Sequence, residues 1–178
     1  MYPYVRSMKE VLLHRKSPPV GVGEAHVSHH LCWPWDIDPW MELNNGRTLT
    51  LYDLGRIGLF ARTGFFAITR EKGWGGTVAG ASIRYRRRIK MFDRLEMRTR
   101  VSGWDKRFFY CEQSLWRRGE CASHGLMRIA VASPSGIVDP ALVAEALGYP
   151  TESPALPDWI ASWVEAEALR PWPPMRDA

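Results

Sequence analysis

Between residues 47 and 63 apolar side chains spread round most of a helical wheel, with Leu49, Leu51, Leu54, Ile57, Leu59, Phe60 and Ala61 on several faces. A helix of that kind is buried on nearly all sides. Gly55 and Gly58 inside it each cost about 1 kcal/mol against alanine, so they predict that a sheet or another chain comes very close. Upstream, Val5, Met8, Val11 and Leu12 recur at helical spacing among Arg6, Lys9, Arg15 and Lys16. This is a short basic amphipathic helix, a pattern that more often packs on its own domain than anchors to a membrane. Residues 25–36 read as a first strand, and residues 64–72 as a kinked continuation of the long helix. After the break at Gly73-Trp74-Gly75-Gly76, residues 77–90 read as a strand with Ile83, Tyr85 and Ile89 on one face and Arg84, Arg86, Arg88 and Lys90 on the other. Strands follow over residues 95–101, 107–117 and 120–132, joined by hairpin turns at 103–106 and 118–119. Pro140 at a favoured first helical position opens a short helix to about Leu147. Residues 158–169 form a last helix with a Trp159, Ile160, Trp163, Val164 stripe, and the tail from Pro171 to Ala178 is expected to be loose.

One strand, one long buried helix and four or so antiparallel strands with short turns predict an α+β domain whose sheet wraps round a central helix. The expected organisation is an N-terminal helix and linker over residues 1–24, the main domain over 25–138 and a helical extension over 139–178.

The chain has 178 residues, 46% of them hydrophobic and 24% charged, the balance of a soluble globular protein with a sizeable core. Nine Trp predict large aromatic walls or a chain interface. A net charge of +5 favours an anionic partner without choosing among nucleic acid, a phosphorylated cofactor and a membrane surface. Cys32, Cys111 and Cys121 show no paired spacing, so neither a disulfide framework nor a zinc site is indicated, and a reduced cytoplasmic setting is expected. The start of the chain has no apolar core long enough for a signal peptide or a membrane span. His29 and His30, as strand neighbours, point to opposite faces, so no metal is expected.

The candidate chemistry lies just before the long helix. Asp36 and Asp38, two residues apart on a segment read as extended, share a side, and Asn44-Asn45 opens the helix. Asn is among the best helix caps, and first-turn amides with the helix dipole favour negative charge, so an oxyanion would be stabilised there. The same Asp and Asn residues also suit an ordinary turn that satisfies its own backbone. Asp53 and Arg56 are spaced for an ion pair.

These residues carry a resemblance. The run Asp36-Ile37-Asp38, Glu42, Asn44-Asn45-Gly46-Arg47-Thr48-Leu49, followed by Asp53-Leu54-Gly55-Arg56, resembles the pattern D-x-D-x-x-x-H-x-N-N-G-R-Y-L with its D-L-G-R helix. That pattern belongs to the hotdog-fold acyl-CoA thioesterase superfamily, in the branch of the 4-hydroxybenzoyl-CoA thioesterase-like and mesenchymal stem cell protein-like proteins. The resemblance extends through Ser82–Arg87 and Trp104–Tyr110, over roughly residues 1–138. Glu42 stands where the family has His, and Thr48 where it has Tyr. The resemblance implies a hotdog fold, a homodimer or homotetramer, an acyl-CoA substrate and no cofactor beyond the coenzyme A that is part of that substrate. It implies that Asp38 attacks the thioester carbonyl or activates water for that attack. Asn44 and Asn45 would orient substrate or water, with Glu42 in the preceding loop and either Asp53 or a residue of the partner completing each of two sites at the dimer interface. Arg84, Arg86, Arg87, Arg88 and Lys90 are the choice for the CoA phosphates, followed by Arg100 and Arg107; the alternative is a solvated strand face. A non-catalytic acyl-CoA or acyl-carrier binding protein on the same fold is the competing reading, motivated by Glu42. Nucleic acid is not expected as a partner, because no RNA-binding signature accompanies the charge. Stable membrane insertion is not expected either.

Overall fold

The computed structural model describes residues 2–174, so the last four residues of the expected loose tail lie outside the described residues. In chain order the elements are α1 (Tyr4–His14), β1 (His26–Leu31), a 3-10 turn (Pro34–Asp36), α2 (Asn45–Thr63), α3 (Phe65–Lys72), β2 (Gly75–Tyr85), β3 (Arg94–Trp104), β4 (Phe109–Arg117), β5 (Glu120–Ser133), β6 (Gly136–Ile137), α4 (Pro140–Ala146) and α5 (Asp158–Ala168). The antiparallel sheet runs β1-β3-β4-β5-β2, with the short β6 hairpinned onto β5.

α2 crosses one face of this sheet. Leu51, Tyr52 and Leu54 on the helix are fully buried in one cluster with Leu95, Met97, Leu115 and Met127 on the strands. The helix glycines have the predicted reason. A Cβ on Gly55 would lie 2.8 Å from Met97 Cγ and from Thr99 Oγ1, and one on Gly58 would lie 2.4 Å from His26 Nε2. Side chains next to these strand residues point the other way, and there Tyr110 and Leu126 pack against Ile160 of α5 with Trp163 beside them. α4 closes the end of the core through Val143 against Phe65, Val131 and Val138. No helix among the described residues is long and apolar enough to cross a membrane.

Three segments depart from the sequence expectation. The first strand ends at Leu31, because Pro34 starts a 3-10 turn; Asp36 therefore sits at the end of a helical turn and not on a strand beside Asp38. β2 ends at Tyr85, its last pair with β5 being Tyr85 to Ser123. Beyond it the Arg86 and Arg87 N–H groups both donate to the Ala122 carbonyl, and that turn takes Arg86 to Lys90 off the strand, so the arginines do not form one strand face. The kink at Gly64 separates two helices, Gly64 itself being left-handed at φ 77°. β2 is an edge strand exposed along most of its length on both faces. The other edge is covered: from α1, Arg6 and Lys9 donate to the outward carbonyls of Leu31 and His29.

Candidate functional site

The loop from Asp36 to Asn44 is built by its own polar groups. Asp36 is buried, pairs with Arg6 at 2.9 Å and accepts from the Trp33 amide at 3.1 Å, which makes it an anchor for α1 and the 3-10 turn. Ile37 and Leu43 bridge across the loop. Inside that bridge Asp38 donates its amide to the Glu42 carbonyl at 2.9 Å, while its Oδ1 accepts from the Trp40 amide at 2.9 Å and the Glu42 amide at 3.3 Å. One carboxylate oxygen thus fixes the loop and the other carries none of this duty.

Asn44 is the N-cap of α2. Its Oδ1 accepts from the Gly46 amide at 2.9 Å and the Arg47 amide at 3.3 Å, and its carbonyl accepts from the Thr48 amide. The cap therefore engages the amides of residues 46 and 47 that the sequence suggested for an oxyanion. It leaves the Asn45 N–H as the first-turn amide outside its grip.

Beside this helix start lies a cavity of about 250 Å³ lined by Glu42, Leu43, Asn45, Thr48, Tyr85, Arg86, Arg87, Arg88, Ile89 and Ser123. The Leu43 amide donates to the Ile89 carbonyl at 2.8 Å, which ties the loop before α2 to the loop after β2 and closes the cavity's wall. On the floor Ser123 Oγ and Tyr52 OH share a buried hydrogen bond of 2.9 Å. Burial raises the Tyr52 hydroxyl well above the usual phenol range, and raises Tyr85 as well. At the rim Arg88 Nε meets Glu42 Oε2 at 3.1 Å, Arg87 pairs with Glu120, and the Arg86 guanidinium has no ion pair among the described residues.

Of the residues singled out in the sequence, the fold thus brings together Glu42, Asn45, Arg86, Arg87 and Arg88. Asp38 and Asn44 adjoin the cavity through the loop and helix start without lining it. Arg84, on β2, and Lys90, whose amide donates to Asp93, do not line it either. Asp53 belongs to a different network. It accepts from Arg56 at 3.0 Å and from the Tyr2 hydroxyl, while Arg56 donates to Gln113 at 2.6 Å and Gln113 donates to the Tyr52 carbonyl at 2.7 Å. That chain of bonds ties α2 to β4. Arg100 pairs with Glu112 at 2.7 Å, and Arg107 lies over the Phe108 ring. Thr48, marked in the sequence only as standing in place of the family's tyrosine, lines the cavity, and Tyr85 and Ser123 are lining residues that the sequence reading missed. In a chain of alternating strands no local pattern tells which polar residue ends at a cavity floor.

Among the described residues no group of three or more His, Cys, Asp or Glu is placed to hold a metal. Burial pushes the Cys32 thiol up to about 11 and the Cys111 thiol up to about 12, so neither is a thiolate nucleophile at neutral pH.

Residues 32–164 match the model of the thioesterase-like superfamily. The chain is 29% identical over 167 residues to protein THEM6 of Xenopus laevis, covering 91% of this chain and 78% of that one. It is 28% identical over 151 residues to protein THEM6 of Drosophila melanogaster, covering 83% and 76%. Among solved structures, the YbaW probable thioesterase of Escherichia coli superposes with a TM-score of 0.64 at 14% identity, over 71% of this chain and 98% of that one. The DHNA-CoA thioesterase of Staphylococcus aureus superposes with a TM-score of 0.61 at 15% identity, over 82% and 92%. At those identities the likeness is one of fold, and the fold is the α+β hotdog arrangement.

Proposed function

The chain belongs to the thioesterase-like superfamily, and from that premise we propose that it hydrolyses an acyl-CoA thioester to a free acid and CoA. The observation that carries this reading is the arginine-rimmed cavity at the start of α2, hydrogen-bonded through Glu42 to the loop that orients Asp38. With Oδ1 held by two amides, Oδ2 of Asp38 is the oxygen left for chemistry. As a base it takes a proton from water as the water oxygen attacks the thioester carbonyl; collapse breaks the C–S bond and the CoA thiolate takes up the proton. As a nucleophile it forms an acyl anhydride, expelling the same thiolate, and water then cleaves the anhydride. The Asn45 N–H at the positive end of α2 faces the developing oxyanion in either route.

Arg86 and Arg88 bind CoA phosphates, Arg88 exchanging Glu42 for the substrate. A second copy of the chain pairs along the free edge of β2, whose backbone groups turned away from β5 have no strand partner among the described residues. Asp53, on the outer part of α2, holds Arg56 within each copy. Glu42 also favours a second reading, in which the protein binds acyl-CoA without turning it over. Purified protein incubated with a panel of acyl-CoAs and a thiol-detecting reagent decides between them. The expected result is CoA release that Asp38→Asn abolishes; tight acyl-CoA binding with no release, unchanged by that substitution, would overturn catalysis in favour of binding.

A further inference from the structure

α1 packs on the domain the opposite way round from the sequence expectation. Its inward face is charged: Glu10 is 1% exposed, and Arg6 and His14, one turn to either side, reach Asp36 and Glu10. Its outward face is apolar: Val5 is 85% exposed, Tyr4 74%, Met8 59% and Leu12 52%. At 3.6 residues per turn those four side chains fall within about 100° of the helix circumference. A helix held by its polar side and showing its apolar side to water has a partner for that apolar side.

The charges select the partner. Glu10 is the only carboxylate between residues 2 and 16, and it is buried against Lys9 at 3.1 Å and His14 at 3.4 Å. The charged side chains this segment exposes around the stripe, Lys9, Arg15 and Lys16, are therefore all positive. Two copies of α1 laid face to face would bring these cations against their own counterparts, which disfavours self-association through this face. The positive flank also continues onto the sheet. Lys9 lines a groove of about 640 Å³ on the outer side of β1 and β3, where Arg94 and Arg118 have no ion-pair partner among the described residues. An apolar stripe edged by cations, of which Arg15 and Lys16 have no ion-pair partner among the described residues, fits the boundary between acyl chains and anionic headgroups.

We propose that α1 lies on an anionic lipid surface, with Tyr4, Val5, Met8 and Leu12 among the acyl chains and Lys9, Arg15 and Lys16 at the headgroups. This is a reversible docking of the folded protein, independent of any hydrolytic activity. Buried Glu10 serves it twice, by fastening the helix to the body and by keeping negative charge off the docking face.

The test is co-sedimentation of the full chain with vesicles of phosphatidylcholine alone and of phosphatidylcholine with phosphatidylglycerol, at low and high salt. The expected result is about tenfold or greater enrichment on the anionic vesicles, weakened by salt. The double variant Val5→Asp, Leu12→Asp should lose that enrichment about tenfold or more while keeping the wild-type circular dichroism spectrum and melting temperature, because both side chains are exposed. Arg15→Gln with Lys16→Gln should lose the preference for anionic over neutral vesicles, both side chains being exposed. Equal recovery in the supernatant with and without anionic lipid overturns the proposal, as does undiminished binding by the double variant. A wild-type oligomer that the double variant dissolves in vesicle-free solution overturns it in favour of contact with a second copy.

Discussion

Asp38 has two separable duties, and substitution can pull them apart. Oδ1 accepts the Trp40 and Glu42 amides at 2.9 and 3.3 Å, an arrangement like a helix cap, whose loss costs about 1–2 kcal/mol. Asp38→Asn keeps a carbonyl oxygen at that place, so its stability stays within about 0.5 kcal/mol of wild type. Asp38→Ala loses both bonds and about 1–2 kcal/mol, which in a chain of this size lowers the melting temperature by about 2–8 °C. Neither variant retains a carboxylate to take a proton or attack a carbonyl, so both lose about 10²–10⁴ in kcat. The assay is continuous detection of released CoA on a thiol reagent, beside thermal melts of the same preparations. The expected pattern is equal loss of turnover in the two variants with a fall in melting temperature for alanine alone. If Asp38→Asn turns over within about threefold of wild type, Asp38 is a loop residue and the chemistry belongs elsewhere.

Glu42→Gln removes a rival for Arg88; that guanidinium is 75% exposed, so the pair is worth only about 0.2–1 kcal/mol, and KM for acyl-CoA should fall by up to about fivefold with kcat unchanged. A collapse of kcat instead would place Glu42 in the chemical step. Gly55→Ala gains about 1 kcal/mol in helix propensity but drives a methyl to within 2.8 Å of buried Met97 and Thr99, an overpacking that costs about 1–3 kcal/mol; with the Gln113 hydrogen bonds also strained, the urea midpoint should drop. A raised midpoint would mean that the sheet yields at no cost. Burial, aided by nearby Lys9 and Arg6, holds His30 down to about 3, and burial with His14 and Arg62 holds His26 down to about 4. The unfolded chain therefore takes up these protons first, so the stability the two residues contribute is whole above about pH 6.5 and is lost as pH falls toward 4 and below. Urea midpoints at pH 7.5 and 5 should differ more for wild type than for His30→Gln; equal differences count against the assignment.

Much of the architecture was legible because burial imposes periodicity. A helix apolar on most sides must lie inside something, and two glycines in it must meet something close; Met97, Thr99 and His26 are what they meet. The run of short strands with tight turns had only one economical arrangement, an antiparallel sheet against that helix. The candidate site was legible in part. Glu42, Asn45 and Arg86 to Arg88 gather at one cavity because the motif before the helix and the basic run after β2 both end at the same edge of the fold. Ser123 and Tyr85 were not legible, since a polar residue on an alternating strand reads the same whether it faces water, a helix or a cavity.

The sequence by itself determined what each segment is: the capped apolar helix, the strands, the positive excess and the family motif are all properties of neighbours along the chain. Only the tertiary structure decided which way each segment faces and which groups are already spent. Asp36 is taken by Arg6 from α1, thirty residues away, and Asn44 by the amides it caps. β2 ends where its pairing with β5 ends, which turns an expected basic strand face into a loop at a cavity rim. For α1 the decision was an inversion. Its apolar stripe is visible in the sequence, but the helix docks through Glu10 and His14, because two histidines and a lysine from two elements surround one carboxylate that no local pattern marks as buried.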